Sequence, residues 1–371
     1  MIGQRLTLHH IEKKFGTVWA VRDTHIEIEA GEFVSIVGPS GSGKTTLLSM
    51  IAGFEAPTSG SIMVGDQDVT VLAPNRRNIG MVFQKYALFP HMTVRQNIEF
   101  PLRMRRFEKG GKTSRRVDAM LDLVQLGPLQ HRYPHQLSGG QQQRVAVARA
   151  LVFEPPVILM DEPLGALDKK LREAMQLEIK RIQERIGATV IYVTHDQEEA
   201  LTMSDRVAVM HNGRLEQIGT PGNLYANPDN AFVADFVGSI NFIPGIVCGK
   251  VHSGVAVRVG NALVQVDASD GRAAFLHKEG DAVRIAARPE HISIAPCRDR
   301  DERSLSGTIE TVVFAGASRT ALVRLHQLPE LVLRADIPSS LRNLPERGSD
   351  IALAFSADSL RLFDVVEGVE R

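Results

Sequence analysis

The run Gly38-Pro39-Ser40-Gly41-Ser42-Gly43-Lys44-Thr45 constrains this chain more than any other stretch. It follows Phe33-Val34-Ser35-Ile36-Val37, an apolar run that predicts a buried strand. It precedes Thr46-Leu47-Leu48-Ser49-Met50-Ile51-Ala52, which predicts the first turns of a helix. Strand, glycine loop and helix in that order are the context of a phosphate-binding loop. The glycines allow a tight turn that aims several backbone N–H groups at one point. The helix N-terminus adds partial positive charge at the same place. Lys44 can reach β- and γ-phosphates, and the Thr45 hydroxyl can ligate Mg²⁺. A glycine-rich turn with no ligand is the plainer alternative, and the complete pattern in this context argues against it.

The bulk numbers set limits on what the phosphate is for. A chain of 371 residues has room for two or three domains, each with its own core. Its 43 basic and 43 acidic residues cancel, which argues against a general affinity for nucleic acid. No apolar run reaches the length of about eighteen residues that would suggest a membrane span. Met1-Ile2-Gly3-Gln4-Arg5 leads into no apolar segment, so no signal peptide is expected. Cys248 and Cys297 are too few for a disulfide framework. They could pair only if the fold joins them, and two free thiols are the expectation.

Leu6 and Leu8, then Ile26 and Ile28, alternate in the manner of strands with one buried face. Phe15 lies between them, after Lys13-Lys14; by spacing it is core or a platform for a purine ring, with core favoured. Pro57 to Asp66 predicts a turn, a short strand and a turn. Ile79-Gly80-Met81-Val82-Phe83 predicts a strand ending at Gln84, and strand C-termini in an α/β sheet face the ligand crevice. Tyr86-Ala87-Leu88-Phe89-Pro90-His91-Met92 is either packed core or a docking surface. Residues 93–135 are helical and locally basic, through Arg103, Arg105, Arg106, Lys109, Lys112, Arg115 and Arg116. That run reads as a solvated face, with a helix break at Gly110-Gly111.

Leu137-Ser138-Gly139-Gly140-Gln141 opens another helix, and Ser138 with Gln141 has capping-box spacing. Its N-terminus is a second potential anion site. Val157-Ile158-Leu159-Met160 predicts a central parallel strand that ends in Asp161-Glu162. Adjacent carboxylates there suit one group for Mg²⁺ and one for the attacking water. Leu171, Met175, Ile179, Ile182 and Ile186 mark one helical face, closed by Gly187. Thr189 to Val193 predicts a strand ending at Thr194-His195-Asp196. A histidine at such a strand tip is a site candidate, although lone histidines are more often structural. His211-Asn212-Gly213 signals a hairpin. From about residue 240 the texture becomes short alternating strands, such as Val255, Val257 and Val259, which suggests a β-barrel or sandwich.

Taken in order, these motifs resemble the nucleotide-binding subunit of an ABC transporter, over residues 5–238. The resemblance implies an α/β P-loop NTPase (ABC ATPase) domain with a helical subdomain at about 90–155. It implies an all-β, OB-like regulatory domain at 239–371, where Arg288-Pro289-Glu290-His291-Ile292 is similar to a short family motif. It assigns ATP binding to residues 38–46 (Gly38, Pro39, Ser40, Gly41, Ser42, Gly43, Lys44, Thr45, Thr46), with Phe15 stacking on adenine. Glu162, His195 and Gln84 become catalytic, and Thr45, Gln84 and Asp161 hold Mg²⁺. Leu137, Ser138, Gly139, Gly140 and Gln141 become the signature that closes on the ATP of a partner copy. Leu164 to Asp168 becomes the D-loop. The implied partners are a second copy of the chain, two transmembrane permease subunits and a periplasmic or extracellular solute-binding protein, with no nucleic acid. The implied location is peripheral, on the cytoplasmic face of the cell membrane.

Gly219-Thr220-Pro221, Phe232 to Gly238 and Ile240-Asn241-Phe242 look like importers of this kind, closest to the polyamine (spermidine/putrescine) group. Importers of ferric iron, aminoethylphosphonate, thiosulfate/sulfate or sugar share most of these residues. Two other classes stay open. A soluble ABC ATPase of DNA repair or translation is disfavoured by the single nucleotide-binding unit, the neutral charge and the β-rich tail. A non-catalytic nucleotide-binding scaffold is disfavoured by intact Lys44, Asp161, Glu162 and His195.

Overall fold

The computed structural model describes residues 2–105, 111–165, 167–251, 254–267, 277–296, 305–314, 316, 318–338, 346–356 and 359–365. Arg106, Lys109, Gly110, Ala166 and Cys297 lie outside them. The chain divides into two compact units, Met1–Asn227 and Pro228–Arg371.

The first unit carries two sheets. Strands β1 (Leu6–Phe15), β2 (Val18–Ile28), β4 (Ser59–Val64) and β5 (Gln67–Asp68) form an antiparallel sheet in the order β2-β1-β4-β5. The larger sheet uses β3 (Phe33–Val37), β6 (Ile79–Val82), β7 (Val157–Asp161), β8 (Thr189–Val193), β9 (Arg206–His211) and β10 (Arg214–Gly219). Its order is β10-β9-β3-β8-β7-β6, parallel throughout except for the β9–β10 hairpin. Asn212 and Gly213, both at positive φ, make that hairpin turn.

The helices are α1 (Lys44–Ala52), α2 (Val94–Met104), α3 (Gly111–Leu123), α4 (Gly139–Leu151), α5 (Lys169–Ile186), α6 (Gln197–Met203) and α7 (Pro221–Ala226). The central strands β3, β7 and β8 are buried on both faces, which is why they read as nearly unbroken apolar runs. Phe33, Ile158, Val190 and Tyr192 pack into the core shared with α2 to α5. Their neighbours Val34, Val157, Leu159 and Ile191 pack the other way, against α1 and the antiparallel sheet. Met175, Ile179 and Ile182 are buried as the α5 spacing predicts, and Gly187 ends the helix at φ 67°. Among the described residues no helix is long and apolar enough to cross a membrane.

The second unit includes α8 (Ala231–Phe236). Arg288 is buried and donates to the carbonyls of Ala234, Gly238 and Ser239, fastening α8 to the β-rich part. That part is all-β. One antiparallel sheet joins β11 (Asn241–Val251), β12 (Gly254–Val259), β13 (Ala262–Asp267), β14 (Ala282–Ala287) and β20 (Arg361–Asp364). The other joins β15 (Ile292–Pro296), β16 (Leu305–Phe314), β17 (Ser318–Leu325), β18 (Val332–Pro338) and β19 (Asp350–Phe355). Val255, Val257, Val259, Val264 and Val266 face one shared core. Cys248 is a free thiol.

Candidate functional site

The sheet order explains the site. In the parallel sheet β3, β8, β7 and β6 are consecutive neighbours, so their C-terminal ends fall along one edge. That edge carries the glycine loop after β3, His195 after β8, Asp161-Glu162 at the end of β7 and Gln84 after β6.

The loop between β3 and α1 needs its glycines for a definite reason. Gly43 has φ 101°, and a Cβ there would sit 2.3 Å from the carbonyl oxygen of Ala20. A Cβ at Gly38 would lie 2.2 Å from the Met210 oxygen. Ser42 is buried and its N–H donates to the Pro39 carbonyl at 3.2 Å. Lys44 curls back over the loop. Its Nζ donates to the carbonyls of Gly38 at 2.8 Å and Pro39 at 2.9 Å. Burial pulls the Lys44 pKa below its ordinary value, and the carboxylates of Glu162 and Asp161 oppose that pull. Thr45 and Thr46 lie in the first turn of α1, with Thr45 exposed. Ser40 and Gly41 are exposed at the loop tip.

Glu162 is the hub. Its Oε2 accepts from Gln84 Nε2 at 2.8 Å, and its Oε1 lies 3.3 Å from His195 Nδ1. Its backbone is left-handed, φ 43°, held by an N–H bond to Val193 O at 2.9 Å. A non-glycine residue there costs about 1–3 kcal/mol, which the surroundings must offset. The adjacent Asp161 carboxyl is pushed up, first by burial and then by the Glu162 charge, with Lys44 opposing. Two residues from two neighbouring strand ends thus converge on one carboxylate, which stands beside a second carboxylate and near a lysine.

The remaining expected residues sit elsewhere. Ser138 caps α4, and its backbone N–H donates to Gln141 Oε1 at 3.0 Å, completing the capping box. Leu137 is buried, while Gly139 is exposed. Gly140 packs so closely on Leu171 that a Cβ would meet it at 3.1 Å. Asp168 caps α5, accepting from Leu171 N at 3.0 Å. Phe15 is 49% exposed at the end of β1, with Lys13 Nζ 4.8 Å above its ring. It is therefore not core, the reading its spacing favoured. The terminal position decides this, because the last residue of a strand can escape the sheet's buried face.

Other residues at this edge carry no sequence signal of their own. Arg172 donates to Asp196 Oδ2 at 3.0 Å and to Leu167 O at 3.1 Å, tying the turn before α5 to the residue after His195. Buried Glu199 accepts from Tyr192 and Thr194, and burial raises its carboxyl pKa. Arg149 and Asn97 grip the stretch after Gln84.

A phosphate loop, a helix-borne lysine and paired carboxylates at the ends of neighbouring parallel strands define a P-loop nucleoside triphosphatase. Comparison with known proteins narrows the class. The ABC transporter model matches residues 21–165 and the TOBE domain model matches 285–363. The chain is 46% identical to the spermidine/putrescine import ATP-binding protein PotA of Thermobifida fusca (strain YX), over 91% of this chain and 87% of that protein. It is 41% identical to the sulfate/thiosulfate import ATP-binding protein CysA 2 of Chromobacterium violaceum, over 98% and 96%. Among solved structures it resembles the dimeric post-hydrolysis state of the ATP-binding cassette MJ0796 bound to ADP and Pi. That match has TM-score 0.51 and 36% identity, over 58% of this chain and 98% of that one. The chain belongs to the ABC transporter family, as one of its ATP-binding, ATP-hydrolysing subunits.

Proposed function

We propose that this chain drives solute import, hydrolysing ATP at two composite sites in a head-to-tail dimer. The convergence of Gln84 and His195 on Glu162 carries the reading. Glu162 orients and deprotonates the attacking water. His195 contacts the γ-phosphate, and Lys44 leaves its loop carbonyls for the β- and γ-phosphates. Phe15, exposed and near Lys13, stacks on adenine. Ser138, Gly139 and Gly140 present a helix N-terminus to the nucleotide held by the partner copy, with Leu137 and Gln141 anchoring that turn and Asp168 beside it. This accounts for two anion-binding helix N-termini in one chain.

The donor set suits Mg²⁺. Thr45 hydroxyl, Gln84 amide oxygen and Asp161 carboxylate are hard oxygen ligands, and one carboxylate plus substrate phosphates is the usual arrangement. A dication beside Asp161 would also restore the charged form that burial disfavours. When bound, the metal neutralises phosphate charge. Residues 5–238 form the motor and 239–371 a regulatory domain. The motor docks on two transmembrane subunits at the cytoplasmic face of the membrane, supplied by a solute-binding protein outside.

The imported solute is a polyamine, the cargo in the names of several relatives; sulfate is the second reading, favoured by the CysA 2 relative. The test is uptake of labelled spermidine, putrescine, sulfate, ferric iron and aminoethylphosphonate in cells lacking the gene. Polyamine uptake is expected to fail alone and to return with wild type but not with Glu162→Gln. Loss of sulfate uptake alone would overturn the polyamine reading, and no change in any uptake would overturn the importer reading.

A further inference from the structure

Tyr86 and Ala87 both have left-handed backbones, φ 58° and 45°. Neither is glycine, so the conformation needs support beyond the local bonds from Tyr86 N to Phe83 O at 2.9 Å and from Ala87 N to Lys85 O at 2.6 Å. Arg149, in the last turn of α4, supplies the hold. Its Nη2 donates to Tyr86 O at 2.7 Å and its Nη1 to Ala87 O at 2.6 Å. Arg149 is buried, and among the described residues no carboxylate pairs with it. The planar fork of the guanidinium matches two successive carbonyls in a way an ammonium cannot.

The clamp sits between two ends that matter. Two residues before Tyr86, Gln84 holds Glu162. Two residues after Ala87, Phe89 is tied to α2: its N–H donates to Asn97 Oδ1 at 2.9 Å, and its ring lies 4.4 Å from that of Phe100. The Arg149 guanidinium also lies 5.7 Å from the Phe89 ring centre. The other end of α4 begins at Ser138, the proposed contact to the partner's nucleotide.

We propose that Arg149 is a positioning residue that makes residues 84–89 move as one piece with α4. Gln84 reports the state of Glu162, and the clamp passes that state to the Leu88-Phe89 surface and to the signature end of the helix. This rests on the importer reading for its output, though not for its geometry.

The test uses the purified full chain and cells lacking the gene, with Arg149→Lys, Arg149→Gln and Arg149→Lys combined with Ala87→Gly. Amide exchange at residues 85–89 is expected to quicken about tenfold or more in both single variants, with α5 unchanged. Basal kcat is expected to stay within about twofold while uptake falls about tenfold. Ala87→Gly is expected to restore uptake about threefold in the Arg149→Lys background, because glycine takes φ > 0 without penalty. A merely structural arginine would show no such rescue. The proposal is overturned if exchange at 85–89 is unchanged, or if kcat and uptake fall together with no rescue. If wild type itself restores no uptake, the importer reading fails and the exchange result alone decides the clamp.

Discussion

Glu162→Gln separates chemistry from structure better than any other single change. Glutamine keeps the volume, and its oxygen can still accept from Gln84 Nε2, now 2.8 Å from Glu162 Oε2. Its amide nitrogen can face His195 Nδ1, now 3.3 Å from Oε1. What is lost is the proton acceptor. A positioned general base contributes about 10²–10⁴ in rate, or about 2.7–5.4 kcal/mol at 1.36 kcal/mol per tenfold. The fold should not suffer, because Glu162 is one of the groups that holds the Asp161 carboxyl above its ordinary range. Removing a like charge from beside Asp161 relaxes that site. The expected outcome is a kcat for ATP hydrolysis lower by about 10²-fold or more, with ATP affinity within about threefold of wild type. The same variant should accumulate as an ATP-held dimer on size-exclusion chromatography. Single-turnover hydrolysis with radiolabelled ATP is the assay. A variant that hydrolyses within about fivefold of wild type would refute the base assignment.

Three further outcomes follow from the same geometry. Asp161→Asn should raise the first melting transition of the nucleotide-free chain at pH 7.5 while abolishing Mg²⁺-dependent hydrolysis. The folded pKa of Asp161 lies above its unfolded value, so the folded state binds the extra proton and stability falls as pH rises through that interval. The gain should shrink toward acid pH, and a lower melting point at pH 7.5 would sink the argument. Gly43→Ala should cost about 1–3 kcal/mol from its φ of 101° and the contact with Ala20 O, together with nucleotide binding; scanning calorimetry and ATP titration read both. Mixing Lys44→Ala chains with Ser138→Arg chains should recover about a quarter of wild-type hydrolysis from two inactive parents, because half the dimers then hold one intact site. No recovery in verified mixed dimers would count against a head-to-tail arrangement with independent sites.

The parts of this molecule that are readable in its sequence share a physical property: the signal and its consequence lie in one contiguous stretch. Residues 38–45 make their own loop, Ser138 and Gln141 make their own cap, and Asn212-Gly213 makes its own turn. Gln84, Glu162 and His195 are far apart in sequence, yet they too were reachable. Each follows a mostly apolar strand, and parallel strands deliver their C-terminal ends to one edge. Arg149 and Arg172 have no such rule. Each is a single side chain whose partners are backbone carbonyls or carboxylates on another segment, and carbonyls leave no mark in a sequence. The paired left-handed residues Tyr86 and Ala87 are equally silent, because neither is a glycine or asparagine that would mark the turn and part of their support is a distant guanidinium. The hold of Arg288 on α8, across about fifty residues of chain, is silent for the same reason. Arg149 and Arg288 are buried and spend their donors on backbone oxygens. A fork of that kind fixes the relative position of two elements at once. The chemistry of the site is therefore carried by groups the strand ends display, and the coupling between elements by groups that sequence pattern alone does not reveal.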